Sequence, residues 1–146
     1  MGASASLYVI PAKKFATAQA KGTWSKHCWY NCRPEFDLGR TWSEFNEVFR
    51  QRGTPLSYAI EGNVRVAGSE LGFDFVSPDV VPQVAAALNA LATEAVVAEI
   101  ECNDGRRWAD KDRAGFRKMY AKTFEEIRQA YNLAAERGAA IGILIC

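Results

Sequence analysis

The hydrophobic pattern changes period several times along the chain, and each change marks an element. Ser4 to Ile10, "SASLYVI", carries β-branched and aromatic residues and stops at Pro11, which predicts a first strand. Pro11 can open a helix with Phe15 facing inward, running to about Lys21 and stopping at Gly22. At the other end, "AAIGILIC" is a continuous apolar run of strand length, the pattern of a strand buried on both faces.

Between these ends the period is helical. Trp42, Phe45, Val48 and Phe49 recur at helical spacing, with Gly53 as the stop. Thr41 and Glu44 stand in the spacing of a capping box, which predicts that each satisfies an orphan N–H of the other. Residues Thr54 to Phe75 are rich in Gly and turn formers and predict at most a short helix near Leu56 to Ile60. Ser77 and Pro78 read as an N-cap followed by a first-turn proline. The helix they open, with Val84, Leu88, Leu91 and Val97 as its buried stripe, breaks near Thr93. A further long helix is expected from about Asp112 to Arg137, with Phe116, Tyr120, Phe124, Ile127 and Tyr131 on its apolar face and Gly138 as C-cap. A strand at each end with helices between them predicts a helix-rich α+β single domain over residues 1–146. Its small sheet includes the N-terminal and C-terminal strands.

Composition adds bounds. A chain of 146 residues buries enough surface for one core without metal or disulfide staples. Eighteen basic and seventeen acidic side chains leave a net charge of +1, which exerts no bulk pull on nucleic acid or anionic lipid. The basic cluster Arg106, Arg107, Lys111, Arg113, Arg117 and Lys118 is interleaved with Asp104, Asp110 and Asp112, as on a solvated surface. The N-terminus lacks a basic region followed by a long apolar run, and no apolar segment has the length of a membrane span. The expectation is a cytoplasmic protein with reduced thiols at Cys28, Cys32, Cys102 and Cys146, with neither nucleic acid nor membrane as a partner.

Candidate chemistry concentrates in "TWSKHCWYNC", Thr23 to Cys32. His27, Cys28 and Cys32 are the weak metal candidates, with Cys102 as a fourth ligand. A structural zinc site normally has paired Cys-x-x-Cys knuckles, and this chain offers one Cys-x-x-x-Cys and no second pair. The alternative is that Cys28 and Cys32 are small core residues one helical turn apart. A thiol enzyme or small hydrolase would have to use His27, the sole histidine, with a cysteine. No Gly-x-Ser-x-Gly elbow or Gly-rich phosphate loop is present, so neither catalytic residues nor a cofactor are assigned.

The order of "MGASASLYVIP", "TWSEFNEVF", "TPLSYAIEG", "FDFVSPDVVPQVAAALNAL" and "FEEIRQAYNLAAERGAAIGILI" resembles the YfbM-like family of small bacterial proteins of unknown function. The likeness is strongest in the serine-proline helix and in the last helix and strand, and weakest from Lys21 to Arg40. It implies a helix-rich α+β fold and supplies no activity. Family members often carry a histidine a few residues after the tryptophan of "TWSEFNEVF"; the corresponding position here is Asn46.

Recognition is the remaining function class. Trp24, Trp29 and Tyr30, flanked by Arg33 and Arg40, are residue types enriched at interface hot spots. They are the candidate partner-binding residues. The leading reading is a non-enzymatic protein-binding domain of immunity or antitoxin type that blocks a toxin partner by covering it. The alternative is the small hydrolase or thiol enzyme built on His27.

Overall fold

The computed structural model describes residues 2–22, 32–65 and 73–146. Within them, one antiparallel sheet has the order β2-β1-β4-β3, built from β1 (Ala5–Ile10), β2 (Glu35–Gly39), β3 (Phe73–Val76) and β4 (Ala140–Ile145). The strands from the two ends of the chain are therefore its middle pair. They match residue for residue, from Ala5 opposite Ile145 to Ile10 opposite Ala140. Two backbone bonds between Ser4 and Cys146, of 2.8 and 2.9 Å, carry the ladder beyond the strands.

Strand alternation divides the core in two. Leu7 and Val9 of β1, with Ile141 and Ile143 of β4, face the main helical layer. Tyr8, Ile10, Ala140 and Leu144 face the opposite side, where Phe15 and Ala18 of α1 (Ala12–Lys21) and Cys32 join them. Both faces are covered, which is why β4 reads as an unbroken apolar run rather than as an alternation.

The main layer contains α2 (Trp42–Arg52), α3 (Tyr58–Glu61), α4 (Val81–Asn89), α5 (Thr93–Asp104) and the 25-residue α6 (Arg113–Arg137). Two 3-10 turns, Gly105–Arg107 and Asp110–Asp112, connect α5 to α6. Helix α6 packs over β1, β2 and β4. Its apolar face meets α2 through rings: Phe45 stacks on Phe124 at 6.3 Å and meets Tyr120 edge-on at 5.8 Å, and Trp108 stacks on Tyr120 at 5.7 Å. Tyr131 is fully buried, and its hydroxyl donates to the Ala59 carbonyl at 2.7 Å. That bond fixes α3 against α6 and satisfies a phenol that would otherwise be stranded in the core.

Several local expectations change. The hydroxyl of Thr41 donates back to the Leu38 carbonyl at 2.9 Å, and the Glu44 carboxylate accepts from Ser43 and Tyr120. No capping box forms. Ser77 does not cap a helix with its side chain either, because its hydroxyl accepts from Asn63 Nδ2 and its N–H donates to Asn63 Oδ1 at 2.9 Å. The next helix starts at Val81, so Pro82 is its first-turn proline. Strands β2 and β3 were not anticipated; each is short and lies at the outside of the sheet.

Gly62 ends α3 at φ +74°, and a Cβ there would stand 2.8 Å from the Phe75 carbonyl oxygen. Gly62→Ala should therefore lower unfolding free energy by about 1–3 kcal/mol through backbone strain. Tyr131→Phe should lower it by a similar amount, about 1–3 kcal/mol, by orphaning a buried carbonyl. Urea unfolding of both variants checks the pair, and an unchanged midpoint in either would contradict the packing described.

Candidate functional site

Two surfaces gather the polar chemistry, one on each side of the sheet. The first is a groove of about 380 Å³ between α5 and α6, floored by Val97, Ala98 and Ala121. The helices run antiparallel here: Glu101 meets Arg117, and eight residues away on each helix Thr93 meets Glu125. Arg117 holds Glu101 through both Nε and Nη2 at 2.6–3.0 Å, and Arg113 Nη1 adds a bond at 3.2 Å. These bonds, Arg117's first, hold the Glu101 carboxyl below its ordinary range against the opposing effect of burial. A carboxylate so occupied clamps the two helices together. Arg113 extends the clamp to the carbonyls of Gly105 and Trp108 and lies over the Trp108 ring, locking the turn between the helices.

The second surface is the α1 side of the sheet. Gly22 takes φ +66° and donates to the carbonyls of Ala18 and Gln19, closing α1 with a left-handed cap. Phe15 packs on Phe75 at 5.7 Å, and the remaining exposed positions of α1 include Lys13, Lys14 and Lys21. Nearby in the chain, Cys32 is buried, Arg33 Nη1 donates to the Cys32 carbonyl at 2.9 Å, and Tyr8 donates to Glu35 at 2.9 Å. Among the described residues, ion pairs on the main layer use Arg50, Arg52, Arg113, Arg117 and Arg128; α1 holds no carboxylate at all.

The family profile described as a domain of unknown function, DUF1877, matches residues 1–144. The chain belongs to the DUF1877 family. A solved structure, YfbM from Escherichia coli, itself a protein of unknown function, superposes on it with a TM-score of 0.71 at 13% sequence identity. The match covers 98% of this chain and 99% of that one. At that identity it speaks to the fold, which agrees with the helix-rich α+β architecture and its terminal strands. No curated protein matches the chain.

Against this DUF1877 fold, the predicted site residues fall as follows. Trp24, His27, Cys28, Trp29 and Tyr30 lie outside the described residues. Arg33 and Arg40 stand at opposite ends of β2, separated by a strand of five residues, roughly 20 Å from one another. They do not converge on one spot. Cys32 is buried in the smaller core, as a core cysteine would be, but outside any helix or strand. Cys102 and Cys146 are exposed, on α5 and just beyond β4 respectively. Among the described residues no three His, Cys, Asp or Glu side chains stand where they could hold a metal ion. Asn46 donates to Glu61 at 3.4 Å beside the Arg50–Glu61 pair, on the outside of α2.

The lysines of α1 escaped the sequence reading because the charge was averaged over the whole chain. Counted by segment, residues 1–34 carry five cations and no carboxylate, leaving thirteen cations against seventeen carboxylates, a net −4, in the remainder. That asymmetry was available in the sequence.

Buried phenols give this fold a measurable pH response. Tyr120 is raised well above its ordinary 10.0, chiefly by burial and then by the Glu44 carboxylate beside it, and Tyr131 is raised by burial. A raised folded pKa leaves stability intact below the unfolded value and removes it as pH climbs beyond. Thermal unfolding followed from about pH 9 to about pH 11.5 should show a falling midpoint from near 10 upward. Tyr120→Phe should flatten that fall; an identical slope would contradict the assignment.

Proposed function

We infer that the chain is a non-enzymatic, cytoplasmic protein-binding domain of immunity or antitoxin type, which inhibits a toxin partner by covering it. The α1 side of the sheet is its contact layer. One observation carries this reading: α1 buries only Phe15 and Ala18 of its ten side chains, so most of it faces outward, and among the described residues it is the one helix on that side of the sheet. A ten-residue helix is marginal by itself in water, and a partner that covers it adds the packing that α1 lacks. The aromatic-rich segment leaves the end of this helix in the chain, and Trp24, Trp29 and Tyr30 are its hot-spot residue types. On the other side, Glu99, Glu101 and Glu125 are engaged by Arg52, Arg113, Arg117 and Arg128, which supports a structural role for the carboxylates of the main layer.

Tagged protein captured from its own source's lysate at low and moderate salt should retain one stoichiometric protein partner, identified by mass spectrometry. Addition of the purified chain should abolish that partner's toxic activity. A bare protein at both salt concentrations would contradict the reading.

A further inference from the structure

We propose that the outward face of α1 docks an acidic amphipathic helix of a protein partner. This rests on the reading of the chain as a protein-binding domain and names the chemistry of what it binds. Three of the five cations of residues 1–34, Lys13, Lys14 and Lys21, stand on α1, which lies on the side of the sheet opposite α2 to α6. Lys13, Lys14 and Lys21 are exposed and have no carboxylate partner among the described residues. At 100° per residue, Phe15 and Ala18 point to the sheet, Lys13, Ala16 and Ala20 point outward, and Lys14 and Lys21 fall together on one flank.

Between the lysines the outer surface is therefore low. A partner helix can approach to the usual 8–10 Å between axes, close enough for its carboxylates to reach three ammonium groups. Nucleic acid fits less well: α1 is about 15 Å long and spans few phosphates, and a longer polyanion would run onto a body carrying net −4. A lipid surface fits less well again, because the large apolar side chain of α1, Phe15, is turned inward.

The test is fluorescence anisotropy on the full chain with a labelled acidic helical peptide of about four turns rich in Glu, Leu and Ala. Short duplex DNA and phosphatidylserine vesicles serve as competing probes. The variant Lys13→Ala/Lys14→Ala/Lys21→Ala is compared with Arg106→Ala/Arg107→Ala/Lys111→Ala, an equal charge change on exposed positions of the main layer. The expected result is about a tenfold loss of peptide affinity in the α1 variant and less than about a twofold loss in the control. Affinity should also fall severalfold from about 50 to about 200 mM salt, and peptide should be preferred to DNA and vesicles. Equal losses in both variants, unchanged binding in the α1 variant, or tighter binding of DNA or vesicles would overturn the proposal. A protein partner captured equally by the α1 variant would overturn it while leaving the protein-binding reading intact.

Discussion

The pairing of the first strand with the last governs this fold. β1 and β4 come from opposite ends of the chain, yet they form the centre of the sheet, so every other element must be arranged in the loop that they close. Closing a loop of that length is entropically costly, and contacts of such sequence separation are slow to form. The compensation is burial on both faces. Leu7, Val9, Ile141 and Ile143 are at most 2% exposed toward the helices, and Ile10 and Ala140 are fully buried on the other side. Helix α6 then braces β1, β2 and β4 together from above, while β2 and β3 are added at the outside.

What was legible in the sequence follows from this arrangement. The terminal strands, α1, α2 and α6 were readable because long apolar periods and Gly stops leave few alternatives: Gly22, Gly53 and Gly138 all take positive φ where they were expected to end helices. The outer strands were not readable. β2 has two charged residues among five, and β3 is four residues long; their strand state comes from pairing to the central strands, a tertiary effect that local pattern does not encode. The capping box failed for a related reason, because Leu38, at the end of the unanticipated β2, supplied a carbonyl to Thr41 that local spacing could not foresee.

The candidate site was legible in a different way. Residue type drew attention to Trp24, Trp29, Tyr30, Arg33 and Arg40, but spacing along the chain does not show that Arg33 and Arg40 end up at opposite ends of β2. The α1 lysines were hidden by the averaging of charge, since a near-neutral chain can still carry a local run of one sign. Conversely, the mixed cluster from Arg106 to Lys118 proved to be partly structural, with Arg113 and Arg117 consumed by Glu101 and the turn carbonyls.

Among the described residues, the sheet and its main helical layer hold most of the core, and α1 is attached to the far face of the sheet through one phenylalanine and one alanine. Residue-resolved native-state hydrogen exchange tests this arrangement most directly. The amides of β1 and β4 should exchange only with global unfolding, and those of α1 should exchange through a much smaller opening free energy. Equal protection of α1 and the central strands would contradict the account.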